Sequence, residues 1–346
     1  MGGVSRLASL PTLVSVASAQ VRPLRIPKDS HGVRPASFQA PILDGNPMKQ
    51  RYVVITPARD EERTIELTVR SMLAQTVAPL RWIVVNDGST DRTRELIEKH
   101  LGAAPWMEVM DRENRGFRAL GGGVVDAFNE GFAKVRDLPW DFVVKLDADL
   151  SFEPTYFENL LRRFDADPKL GMASGKTFLV TDGVRQIEWC PDEHVRGPAK
   201  MYRRECFEAI GGLETRRGWD MIDETRAQML GWTTRSFIEE PLIHHRPIDG
   251  RQSNVLKSRF EMGELYHFLG YHWLYLLVRS VRSALQDYPR ITGGSALLLG
   301  YLRAALRGAP RYDAEYVAWV QRQQLSRFTL RHLRGYLEAT SRREAA

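Results

Sequence analysis

Two aspartates one residue apart, Asp147 and Asp149, follow the apolar run Phe142-Val143-Val144-Lys145-Leu146. Carboxylates at that spacing gather oxygen ligands around a hard divalent cation, Mg2+ or Mn2+, which completes its shell with water and substrate phosphates. Taken alone the pattern is commonplace. Here two more acid-bearing stretches follow apolar runs in the same way. Thr56-Pro57-Ala58-Arg59-Asp60-Glu61-Glu62 follows Tyr52-Val53-Val54-Ile55, and Asp87-Gly88-Ser89-Thr90-Asp91 follows Trp82-Ile83-Val84-Val85-Asn86. Turn chemistry explains any one of them; three in succession point to carboxylates gathered at one edge.

The elements that must position these groups are legible. Tyr52–Thr56 is a β-branched run ended by Pro57, and Trp82–Asn86, Glu108–Met110 and Phe142–Leu146 read as three further strands. Between them, Arg63–Gln75, Thr90–His100 and Ala119–Lys134 carry helical spacing, with Ser89 or Thr90 placed to cap the second. Uninterrupted apolar strands alternating with amphipathic helices predict an α/β fold with a mostly parallel sheet and right-handed crossovers. Ligands of such sheets sit beyond the carboxyl ends of the strands.

The chain has 346 residues, 43% hydrophobic and 27% charged, which suits a globular protein of about two domains. Its net charge of +6 is unevenly spread: 6 basic and 2 acidic side chains in residues 1–50, 28 and 34 in residues 51–250, 15 and 7 beyond. An acidic middle with a basic tail argues against a nucleic-acid partner and for a catalytic core joined to something that meets an anionic surface. Two cysteines, Cys190 and Cys206, are too few for a disulfide framework and read as reduced thiols. No uncharged apolar run reaches the roughly 18 residues of a membrane span. Residues 1–49 lack both a sustained period and a signal-peptide block, and read as a poorly ordered extension; Met48 is an alternative natural start.

The set VVITPARDEE, VVNDGSTD and VVKLDADL resembles family 2 glycosyltransferases of the GT-A fold, over about Arg51 to Pro247. The resemblance implies that Thr56, Pro57, Ala58, Arg59, Glu61 and Asp87 hold the nucleoside of a nucleotide-sugar donor, UDP- or GDP-linked. It implies that Asp147, Ala148 and Asp149 hold the metal and diphosphate, with Arg118 either on phosphate or solvated. In the family an acidic motif, usually Glu-Asp, supplies the base that deprotonates the acceptor hydroxyl. Within Gly218-Trp219-Asp220-Met221-Ile222-Asp223-Glu224 that aspartate aligns with Asp220, while Asp223 and Glu224 remain rivals. Trp219 stands where the family has Glu; it either stacks on an acceptor sugar or belongs to the core. His244 or His245 is a further metal ligand of the kind GT-A enzymes place here. Strand alternation favours His244, which shares a face with Leu242.

Residues 50–250 are therefore expected to form a GT-A-like, Rossmann-like catalytic domain, and 251–346 a helical appendage. The aromatic stretch Leu265–Val278 and the leucine-rich stretch Gly293–Leu306, flanked by arginines, suit peripheral membrane contact through residues 254–310. Packing on the core or on a second copy is the competing reading. The expected activity is inverting transfer of a sugar to a carbohydrate or lipid-linked acceptor in bacterial polysaccharide or glycolipid synthesis, on the cytoplasmic face of the inner membrane. A sugar-phosphate nucleotidyltransferase and a non-catalytic binding protein are the alternatives; the first would open with a Gly-rich basic loop, absent here.

Overall fold

The computed structural model describes residues 50–116, 121–181, 184–188, 190–245, 255–286 and 289–328. The expectations for residues 1–49 and for Arg118 lie outside them. Four strands, β1 (Tyr52–Ala58), β2 (Arg81–Asn86), β3 (Met107–Asp111) and β4 (Phe142–Leu146), pair in parallel in the order β3-β2-β1-β4. Their apolar runs are buried on both faces because side chains alternate across the sheet. Tyr52, Val54, Trp82 and Val84 pack with α1 (Ile65–Leu73), α2 (Thr93–Leu101) and α4 (Tyr156–Ala166). Val53, Ile55, Ile83 and Val85 pack with α3 (Gly122–Ala133), α5 (Arg204–Ala209) and α6 (Trp219–Met229). The chain leaves β1 for β2 on one side and reaches β4 on the other, so the topological switch point, where ligands of such sheets sit, falls at the carboxyl ends of β1 and β4.

Two local expectations change. Strand β1 runs through Pro57, paired with Val85, to Ala58; its pairing with β4 ends earlier, at Ile55, so the proline meets no strand on that side. Neither Ser89 nor Thr90 caps α2: the helix starts at Thr93, whose backbone N–H donates to Asp91 Oδ1 at 2.9 Å.

The second half of the sheet is mixed. Strand β8 (Ala199–Arg203) runs antiparallel to β4, and β6 (Leu170–Thr181) antiparallel to β8. Strand β9 (Thr233–His244) lies parallel to β6, while β5 (Leu150–Phe152) and β7 (Val184–Ile187) pair antiparallel with β9 and β6. The layered α/β architecture and the C-terminal helices agree with the GT-A-like expectation.

The tail forms α7 (Val255–Phe268), α8 (Trp273–Gln286), α9 (Thr292–Leu306) and α10 (Ala314–Ser326). The aromatic stretch Leu265–Val278 is thus divided between α7 and α8 by a turn. Helices α7 and α9 approach so closely that a Cβ at Gly300 would lie 1.9 Å from the Phe260 carbonyl oxygen and one at Gly263 2.0 Å from that of Leu297. Ile222 of α6 joins Leu265, Leu269, Tyr316 and Val320 in a further cluster, so the tail buttresses the helix that carries Asp220.

Candidate functional site

The first two strand-end loops are zipped together. Asp60, at φ 54°, accepts the Thr90 N–H on Oδ1 at 2.8 Å and donates its own N–H to Ser89 Oγ at 3.1 Å. The Glu61 N–H donates to Thr93 Oγ1 at 2.7 Å. Asp87, at the end of β2, is gripped by two guanidiniums, Arg112 at 2.6 Å and Arg115 at 2.5 Å. Arg59 reaches the same loop, donating to Asn114 Oδ1 at 2.9 Å. Pro57, Arg59 and Glu61 are half-buried along this rim. Thr56 is not on it: the residue is 0% exposed and its hydroxyl accepts the Trp82 indole N–H at 2.9 Å, inside the sheet. Ala58 is likewise enclosed.

The third loop meets the end of β9. Leu150 of β5 pairs with His244, so Asp149 arrives beside the imidazole. Asp147, Asp149 and His244 each offer one ligand atom, and these lie within 4.8 Å of one another. Asp149 Oδ2 is 3.1 Å from His244 Nε2. Two carboxylates and an imidazole are a donor set that fits Mn2+ or Mg2+. His245 is not brought into this group: its ring faces Ser151 Oγ at 2.7 Å, and burial lowers its pKa against the pull of Asp149. Ala148 points into the core between the two aspartates. The buried Lys145 bonds to Asp147 and, at 2.8 Å, to the Gly197 carbonyl.

Helix α6 supplies the remaining acids, and the structure separates them. Asp223 is 2% exposed; its carboxylate takes the Lys200 ammonium at 2.8 Å and the Tyr202 hydroxyl at 2.5 Å. Burial raises its pKa against the opposing pull of Lys200, and burial together with Asp223 raises that of Tyr202. A carboxylate so enclosed does not face an acceptor, which removes Asp223 as the rival base. Glu224 accepts from the Val195 N–H at 2.9 Å and faces His194 Nδ1 at 2.9 Å, fixing the loop before β8. Asp220 alone of the three is half-exposed. A Cβ at Gly197 would lie 3.4 Å from Asp220 Oδ2, and the neighbouring Pro198 carbonyl accepts the Asp147 N–H at 2.7 Å. One short segment, 197–198, therefore bonds to Asp147 of the cation cluster and lies beside Asp220.

Trp219 belongs to the core. It is 6% exposed, and the Lys145 and Lys200 ammoniums sit 5.3 and 5.4 Å from its ring centroid, so the ring is enclosed by the protein. Sequence reasoning passed over Lys145, Lys200, Tyr202, Glu188 and Arg112. The signal for Lys145 was present, because a lysine inside a fully buried strand requires a counter-charge nearby.

Residues 53–213 match the model of Glycosyl transferase family 2. The poly-beta-1,6-N-acetyl-D-glucosamine synthase of Staphylococcus aureus is 34% identical over 116 residues, which are 34% of this chain and 26% of that protein. The putative glycosyltransferase EpsH of Bacillus subtilis is 27% identical over 227 residues, 58% of this chain and 62% of that one. The chain thus spans about a quarter of the length of the Staphylococcus relatives it matches. Among solved structures, the mannosyltransferase PcManGT from Pyrobaculum calidifontis, in complex with GDP-Man and Mn2+, is similar over 83% of both chains at 18% identity and a TM-score of 0.47.

Proposed function

We propose that the protein, whose residues 53–213 match the model of Glycosyl transferase family 2, moves a sugar from a nucleoside-diphosphate sugar to an acceptor hydroxyl, with inversion, in polysaccharide or glycolipid synthesis. The observation that carries this reading is the shared segment 197–198, against which the Asp147–Asp149–His244 cluster and Asp220 both lie. Asp147, Asp149 and His244 would hold Mg2+ or Mn2+, whose charge offsets that building on a departing diphosphate. Pro57, Arg59, Glu61 and Asp87 would hold the nucleoside. Asp220 takes the acceptor proton as the acceptor oxygen bonds to the anomeric carbon and the bond from that carbon to the diphosphate oxygen breaks. A base opposite the leaving group gives a single displacement, hence inversion.

A panel of UDP- and GDP-sugars tests the reading. One of them is expected to raise the melting temperature only with Mn2+ or Mg2+ present, worth about 2.7 kcal/mol at a hundredfold excess over Kd, and to release its nucleoside diphosphate when an acceptor is supplied. A panel without any metal-dependent stabilisation would contradict it.

The acceptor side adds a membrane. No helix among the described residues is long and apolar enough to cross one. Helix α8 instead turns a row outward at four-residue spacing: Trp273, Leu277, Val281 and Leu285, exposed by 62, 39, 52 and 68%. Leu299, Leu302 and Leu306 are exposed on α9, with Arg307 beside them. Apolar rows beside arginines suit the headgroup region of an anionic bilayer, where a lipid-linked acceptor resides. The full chain is expected to float with phosphatidylglycerol vesicles at low salt and to lose that association on Leu285→Asp. Equal behaviour with phosphatidylcholine alone, or none with either, would contradict membrane contact.

A further inference from the structure

An imidazole that binds a cation through one nitrogen must carry its proton on the other, and that N–H needs an acceptor when water is excluded. His244 meets both conditions. It is 2% exposed, and while Nε2 faces Asp149 Oδ2 at 3.1 Å, Nδ1 faces Glu188 Oε2 at 3.2 Å. Glu188 stands just past the end of β7 and is itself held by Arg196, with Nη1 3.0 Å from Oε2 and Nη2 3.4 Å from Oε1. Arg196 immediately precedes the 197–198 segment that abuts Asp147 and Asp220.

We infer that Glu188 is a positioning residue for the cation site: it accepts the Nδ1–H of His244 and so presents the bare Nε2 towards Asp149, while Arg196 keeps its carboxylate in place. Two consequences follow from the geometry. The carboxylate makes the imidazole a stronger donor to a cation. It also ties the ligand set to the loop beside the acceptor base, so that loss of Arg196 is felt at His244 through Glu188. The inference rests on the proposed divalent-cation site, and its test separates the two.

Free Mn2+ is titrated by electron paramagnetic resonance into the full chain. Glu188→Ala is expected to weaken binding by about 10–100-fold, Glu188→Gln less, because an amide oxygen still accepts the N–H, and Arg196→Met less than Glu188→Ala. Nitrogen-15 NMR of histidine-labelled protein with Mg2+ is expected to find the His244 proton on Nδ1, and to find that preference weakened in Glu188→Ala. If Glu188→Ala fails to fold, Glu188→Gln and Arg196→Met carry the comparison. Binding unchanged in the Glu188 variants while His244→Ala loses it overturns the role of Glu188 and leaves the cation site standing. A proton found on Nε2 also overturns it. Indistinguishable binding by wild type and His244→Ala removes the cation site and the inference together.

Discussion

Replacing Asp220 by asparagine is expected to slow sugar transfer by about 10²–10⁴-fold, the range that a positioned general base contributes, while nucleotide-sugar binding and melting temperature stay near those of the unaltered protein. That loss corresponds to roughly 3–5 kcal/mol in the barrier. Asparagine keeps the shape of the side chain beside Gly197, where a Cβ would lie 3.4 Å from the Asp220 carboxylate. It loses the charge that accepts the proton. The only structural cost is a favourable anion in the first turn of α6, worth about 0.3–1 kcal/mol. Asp223→Asn supplies the contrast, since it breaks a buried pair with Lys200 and should lower the melting temperature. Steady-state rates with a saturating donor, beside thermal melts of both variants, check the assignment. Turnover in Asp220→Asn above about a tenth of wild type would assign the base elsewhere, because even the low end of that range predicts a larger loss.

The parallel half of the sheet and its strand-end acids could be read from the sequence for a physical reason. Strands buried on both faces appear as unbroken apolar runs, and the first polar residues after them mark the rim where ligands bind. The other half carries no such mark. Strand β8 reads Ala-Lys-Met-Tyr-Arg, yet its first four residues are buried. Lys200 is neutralised by Asp223, 23 positions away, and Lys176 of β6 donates to the Cys190 carbonyl, 14 positions away. Glu188 and His244 are 56 apart. Such partners are set by tertiary contact and leave no local period. The same blindness explains Trp219, which borders Asp220 in sequence but is buried beside Lys145 and Lys200. It explains Asp223 too: three residues along the helix from Asp220, it turns inward because the wholly buried Lys200 ammonium demands a counter-charge. Strand alternation only leaned towards His244 over His245; it is the pairing of Leu150 with His244, a tertiary contact, that brings that ring beside Asp149.

Lys200→Met is expected to destabilise the fold by about 3–5 kcal/mol at neutral pH, the cost of leaving one member of a buried ion pair without its partner. Lys200 is 0% exposed, and its ammonium makes two contacts that methionine lacks: Asp223 Oδ1 at 2.8 Å and the Asp220 main-chain oxygen at 2.6 Å. Tyr202 remains on Asp223 Oδ2, but a hydroxyl does not neutralise a carboxylate. Burial already raises the Asp223 pKa with Lys200 present; without the ammonium the rise is larger. A carboxyl whose folded pKa exceeds its unfolded one favours the native state at low pH, where it is protonated, and loses that contribution as pH climbs through the folded value. The penalty in Lys200→Met is therefore expected to shrink as pH falls through the folded value, where the carboxyl takes up its proton. Urea denaturation of wild type and variant at several pH values measures this directly. The double variant Lys200→Met/Asp223→Leu removes both charges together and should regain most of the loss, since well-packed apolar replacements of buried pairs are often neutral. A penalty independent of pH, or one that the double variant does not relieve, would mean that Lys200 holds α6 by packing around Trp219 and not by its charge.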